Sequence, residues 1–304
     1  MQSASETPTF FRSSAIRPGP LELLRTAIRE TFSRRRLIRY LVRAQIKKQG
    51  TDTVLGNVWW ILDPLLSMGV YVIVMTFIFQ RRIPDFPIFL LAAIIPFKWF
   101  TTTISSSANS VAGQGQLIKQ IQFPKLVLPL TTSVAEVINL GFGMIVLLAV
   151  LLLFYPAHAS LMILWVPVIA VVQFVFTLGI ALIVSAVTVF YRDVGNLISH
   201  LMRLAFYLAP ILWSFDDLSG RGGDLEKAVG STGLAILHYN PLAIFLDSYR
   251  HVIYGVVQNG GTSSGPPVPP DLAALGVVLV ISLGLLALGT WVFKRLEPAF
   301  AKVL

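Results

Sequence analysis

The sequence predicts an all-α integral membrane protein: six transmembrane helices, an N-terminal amphipathic interface helix, and short re-entrant helices between spans five and six. Three observations predict it. The 304 residues are 55% hydrophobic and only 13% charged, with a mean hydropathy of +0.74, whereas an ordinary soluble domain is about 25% charged. Six apolar runs reach the ~20 residues that a helical span requires. Eleven Lys and Arg fall between Arg12 and Lys48, and none follows until Arg81, which describes a cationic helix lying on a membrane and turning into it.

In chain order, residues 1–20 read as a disordered tail and residues 21–50 as a cytoplasmic amphipathic interface helix. Leu21, Leu24, Ile28 and Phe32 recur at helical spacing, as do Leu37, Ile38, Leu41, Val42 and Ile46, while Arg25, Arg29, Arg39, Arg43 and Lys47 occupy the positions between. Such a segment either anchors to lipid headgroups or also touches a cytosolic partner, and the two roles are compatible. Residues 51–304 form the transmembrane domain. Its spans are expected at 58–79, 88–107, 126–155, 161–190, 197–215 and 272–293, with Trp59 and Trp60 at the entry. Residues 241–257 are too short for a span and carry Asp247, Arg250 and His251, which a lipid-facing helix tolerates poorly. A re-entrant or interfacial helix starting at Asn240-Pro241 fits them, inside an outer gate region at 216–271.

Six spans put both termini on one side. That side collects seventeen basic residues against five in the other loops, so positive-inside places the termini in the cytoplasm. The net charge of +9 then reflects lipid headgroups and topology rather than nucleic acid. No cysteine is present, which excludes disulfides and thiol chemistry, and no cleavable signal peptide is expected.

Catalytic motifs are absent from the sequence. It has no Gly-x-x-x-x-Gly-Lys-Ser/Thr loop, Gly113-Gln114-Gly115 lacks a third glycine, and the four histidines have no metal-ligand spacing. The expectation is a protein that is not catalytic by itself and carries no cofactor or metal.

The loop at 115–125 places Leu117, Ile118 and Ile121 on one short apolar face, beside Lys119, with Phe123-Pro124-Lys125 ending it. It either rests on the bilayer or docks into another protein. Lys98, Glu136, Asp63 and Arg203 lie within spans. Depth counting at ~1.5 Å per residue pairs Lys98 with Glu136 near the midplane and Asp63 with Arg203 nearer the cytoplasm, as pins between helices or as transport groups. Aromatic residues form 11% of the chain. Most of the tryptophans suit an interfacial belt, while Tyr71, Phe77 and Phe79 are candidates to line a conduit.

Taken in order, the basic helix running into Thr53-Val54-Leu55-Gly56-Asn57-Val58-Trp59-Trp60-Ile61-Leu62-Asp63-Pro64, the loop ending in Phe123-Pro124-Lys125, Tyr191-Arg192-Asp193, Ala209-Pro210-Ile211-Leu212-Trp213, and Asn240-Pro241-Leu242 followed by Tyr249-Arg250 resemble the permease subunit of ABC-2-type transporters. The match is to the polysaccharide-export branch (O-antigen, capsule and teichoic acid exporters) over about residues 20–295. Asp63, where that family usually has Gln, and Lys98, where a neutral residue is commoner, depart from the pattern.

The resemblance implies a homodimer in the bacterial inner membrane, with a conduit between the halves. Two copies of a cytosolic ATP-binding subunit would hold ATP and Mg, and the cargo would be a lipid-linked polysaccharide. Arg39, Arg43, Leu117, Ile118, Lys119, Ile121 and Phe123 would couple to the ATPase. Trp213, Asn240, Pro241, Tyr249 and Arg250 would belong to the outer gate. Two other functions stay open: an ABC-2 permease for drug or lipid efflux, and a secondary transporter using Glu136 as its coupling carboxylate.

Overall fold

The computed structural model describes residues 19–50, 55–80, 83–121, 123–214, 230, 240–258 and 263–304. Most of the tail expected at 1–20, and the expected gate region between Trp213 and Asn240 apart from a few residues, lie outside the described residues, as do Arg81 and Arg82.

The amphipathic segment forms two helices rather than one. α1 (Pro20–Ser33) starts on a proline, whose missing N–H costs nothing at a first helical position, and the chain breaks at Arg34 before α2 (Arg35–Gly50). Each finds a separate support, α1 on the C-terminal helix and α2 on the third span. α3 (Trp59–Ile73) contains Pro64 and continues through a π-helical turn, Val74–Ile78. α4 (Phe86–Ala108) is buried along most of its length and forms the centre of the molecule, packed by α3 and by the later helices described below. A short α5 (Gly115–Gln120) precedes α6 (Val127–Phe154), whose 28 residues extend ~42 Å, longer than a ~30 Å hydrocarbon core. α7 (Val166–Phe190) is preceded by a 3-10 turn, Leu161–Trp165, in which Ser160 Oγ accepts from the Met162 N–H.

α8 (Asp193–Leu208) corrects the fifth expected span. It starts earlier than 197 and stops at Leu208, so its 16 residues extend only ~24 Å. The physical reason is Pro210: the residue before a proline is driven out of the α region, and Ala209 is extended at φ −80°, ψ 147°. Among the described residues, five helical segments are long and apolar enough to cross a membrane: Trp59–Ile78, Phe86–Ala108, Val127–Phe154, Leu161–Phe190 and Leu272–Val303.

The helix expected from Asn240-Pro241 is α9 (Pro241–Ile253). Asn240 Oδ1 accepts from the Leu242 N–H at 3.0 Å, and Gly255, at φ +101°, closes the far end. A two-residue antiparallel ladder, β1 (Val257–Gln258) with β2 (Ser263–Ser264), follows. α10 (Leu272–Val303) is capped by Asp271, which accepts from Ala273 and Ala274 N–H, and runs ten residues past the expected end of the span. It lies along α7, and the two backbones touch at Gly179 and Gly289, where a Cβ on either would collide with the other helix's main chain. Small residues permit this approach where no hydrophobic force separates protein from lipid.

Two apolar clusters result. The larger surrounds α4 and takes in α9; the smaller joins α1, α5 and the ends of α6, α7 and α10. α3 packs on the edge of the larger cluster only through half-buried residues, Met68, Tyr71 and Val72. Only 6% of its apolar window is buried, against 78% for α4, so most of α3 presents apolar surface outward.

Candidate functional site

The smaller cluster is where the basic segment, the 115–125 loop and the C-terminus meet. Ala27 of α1, Ile118 of α5, Phe123, and Phe293 and Phe300 of α10 are buried together. Polar contacts tie the same elements. Lys294 Nζ, only 7% exposed, donates to Glu30 Oε2 of α1 and, at 2.9 Å, to Glu297 Oε2. Glu297 Oε1 accepts from the Lys125 N–H at 2.7 Å, and Lys119 Nζ donates to the Leu304 carbonyl at 2.6 Å. α1, α5, the stretch after it and the end of α10 are therefore linked by shared packing and by charge-assisted bonds. Of the residues expected to couple, Ile118 and Phe123 face into the chain and Leu117 is half-buried, whereas Arg39, Arg43, Lys119 and Ile121 are exposed. Glu30, Lys294 and Glu297 were not among the sequence candidates. The Lys294–Glu297 spacing at the end of a span is a signal for a local pair, but nothing in the sequence indicates α1 as the third member.

At the opposite end, Arg250 joins two of the sequence motifs. Its side chain is 1% exposed. Nη2 donates to the Pro210 and Ile211 carbonyls at 2.7 and 3.2 Å, and Nη1 donates to the Trp213 carbonyl at 3.3 Å. The guanidinium also lies 3.9 Å from the Phe89 ring centroid. Pro210 ended α8 and left carbonyls without helical partners, and the planar five-donor fork of arginine collects them. Arg250 thus clamps the segment after α8 onto α9. Tyr249 beside it is fully buried in the larger cluster. A neighbouring group had no sequence signal: His158 bridges the Asp85 carboxylate at 2.9 Å and the Tyr254 carbonyl at 2.8 Å, and the Tyr254 hydroxyl donates to the Pro84 carbonyl at 2.9 Å.

Between these ends, α3, α4 and α8 share an aromatic face. Tyr71 stacks on Phe206 at 5.2 Å, and Phe206 meets Phe97 and Tyr207 edge-on at 5.6 and 5.4 Å. Phe79 lines a groove with Phe206, Tyr207 and Trp213, and Phe77 is 75% exposed. Phe206, the centre of this set, was not among the sequence candidates.

The four intramembrane charges pair differently from expectation. Lys98 Nζ donates to Asp63 Oδ2, not to Glu136. Glu136 instead accepts from Asn139 Nδ2 at 2.8 Å and from Gln49 Nε2 of α2 at 3.2 Å. Arg203 forms no ion pair among the described residues and lines a groove with Phe97, Thr101 and Ser199. Depth counting ignores which way each helix face points. α8 and α3 flank α4 with Arg203 and Asp63 on different partners, and the flexible lysine stem reaches across a small depth mismatch.

The ABC-2 type transporter family matches residues 36–222. The O-antigen export system permease protein RfbA of Myxococcus xanthus is 27% identical over 275 residues, covering 90% of this chain and 98% of the relative. Its namesake from Klebsiella pneumoniae is 28% identical over 269 residues, covering 88% and 95%.

Proposed function

The chain belongs to the ABC-2 type transporter family, a multi-pass membrane family, and from that premise we propose that it is the permease subunit that exports a lipid-linked cell-surface polysaccharide. A separate cytosolic ATP-binding subunit supplies the energy and holds ATP and Mg; this chain contributes no catalytic group. Two copies form the transporter in the inner membrane, with both termini cytoplasmic and the conduit between them. The exported class comes from the relatives named for O-antigen export.

One observation carries the reading: the basic interface segment, the α5 loop and the end of α10 are tied into one unit by Ile118, Phe123 and the Glu30–Lys294–Glu297 group. That unit gives an external ATPase a handle, with Arg39, Arg43, Lys119 and Ile121 as its exposed contacts. Aromatic rings such as Tyr71 and Phe79 offer sugar faces apolar contact with few strong hydrogen bonds, which suits passage rather than retention. The Pro210–Trp213 segment that Arg250 holds onto α9 belongs to the outer gate. The 51–304 transmembrane domain thus separates a driven end from a gated end.

Deleting the gene tests this reading. The expected result is loss of surface polysaccharide and accumulation of the lipid-linked polymer inside the cell, restored by the wild-type chain. Unchanged surface glycan together with hypersensitivity to lipophilic drugs would shift the reading to drug or lipid efflux. Export that persists without the ATP-binding subunit would shift it to a secondary transporter using Glu136.

A further inference from the structure

A cavity of about 180 Å³ lies between α3, α4 and α6, away from the aromatic face. Trp59, Trp60 and Trp99 are among its walls, and Asp63, Lys98 and Glu136 are its charged groups. With Lys98 on Asp63, Glu136 is left with neutral donors only, at 2% exposure. A buried carboxylate without a cation is costly, so the cavity favours an ammonium. Two further wall residues hold buried polar atoms without partners among the described residues: Asn139 Oδ1, an acceptor, and Trp99 Nε1, a donor.

These groups are complementary to one kind of ligand. An N–H-bearing cation satisfies Glu136 and Asn139 Oδ1. An anion on the same molecule accepts from Lys98 Nζ and the Trp99 indole. Gln49, near the end of the basic helix α2, reaches Glu136 at 3.2 Å, which puts Glu136 at the level of that membrane-surface helix rather than at the midplane that depth counting gave, and Trp59 and Trp60 in the wall suit the headgroup level.

We propose that this cavity binds the zwitterionic headgroup of an ethanolamine phospholipid from the leaflet on which α2 lies. The proposal rests on the reading of α2 as a membrane-surface helix, but not on the cargo. A choline headgroup brings no N–H to Asn139, and a glycerol headgroup brings no cation to Glu136. Because Gln49 shares Glu136 with the lipid, occupancy links the local lipid to the end of the interface segment.

The test measures lipid retained by the purified full-length protein, by native mass spectrometry, during titration with dioleoyl phosphatidylethanolamine, phosphatidylcholine or phosphatidylglycerol. Phosphatidylethanolamine is expected to bind about tenfold more tightly than phosphatidylcholine, the worth of one charge-assisted hydrogen bond. Glu136→Gln removes that preference, and Trp99→Phe weakens retention. Equal retention of the ethanolamine and choline lipids, preference for phosphatidylglycerol, or undiminished preference in E136Q overturns the proposal. If E136Q does not fold, the wild-type lipid comparison and W99F decide. The assay needs neither ATP nor glycan, so loss of lipid preference in an exporting protein defeats this inference alone. Preference without export defeats only the functional reading.

Discussion

Replacing Lys294 with methionine keeps an apolar stem of similar length and removes the ammonium between Glu30 and Glu297. In the wild type that ammonium is 7% exposed, Glu297 is 13% exposed and Glu30 is 36% exposed. Breaking a fully buried pair costs ~3–5 kcal/mol, and an exposed pair is worth at most ~1 kcal/mol. The water around Glu30 brings its share toward the lower value. The docking of α1 on α10 should therefore weaken by about 1.4 kcal/mol, a factor of about ten. The natural chain has no cysteine, so Ala27→Cys, at a site that is 4% exposed against α10, gives a clean probe. Its maleimide labelling rate reports how often α1 lifts away. Lys294→Met should raise that rate about tenfold, and adding Glu30→Gln should raise it little further, because the pair is already broken. A labelling rate unchanged by Lys294→Met would refute the claim that this ion pair holds the interface segment to the C-terminal helix.

Three other outcomes are expected. Arg250→Met leaves three carbonyls without their donor and should destabilise the protein by about 3 kcal/mol, read as a lower melting temperature in detergent, and abolish export while the ATP-binding subunit still copurifies. Gly289→Leu drives a side chain into the Gly179 backbone and should cost at least ~2 kcal/mol, with Gly289→Ala milder, measured by thermal unfolding of purified protein. Asp63→Asn leaves Lys98 without its carboxylate partner inside the spans, where an unpaired cation is costly, and should lower the melting temperature measured by thermal unfolding in detergent, with Asp63→Glu milder.

Helix existence was largely legible because burial in lipid imposes long apolar runs, and α3, α4, α6, α7 and α10 stand where those runs do. The helix at Asn240-Pro241 was legible for a local reason: an Asn cap followed by proline starts a helix, and Arg250 ruled out a lipid-facing span. Boundaries governed by backbone chemistry were read less well. Pro210 truncates α8, and Arg34 divides the basic segment, because a smooth apolar period says nothing about where the backbone breaks. Side-chain partners were the least legible. The Lys98–Asp63 pair and the Glu136–Gln49 contact depend on how helices are rotated about their axes, which counting residues along each helix does not fix. The clamp between Arg250 and the Pro210–Trp213 segment joins two motifs that the sequence presented separately, since its acceptors are main-chain carbonyls with no residue signature.

ATP-driven export through this permease can be measured in vesicles reconstituted with the purified chain, its ATP-binding subunit and a lipid-linked polysaccharide. Movement of the glycan across the bilayer is read by its accessibility to an added glycosidase. Translocation should require ATP and both subunits and should be lost in Arg250→Met. Translocation by this chain without the ATP-binding subunit, or ATP hydrolysis with no movement of the glycan, would contradict ATP-driven export.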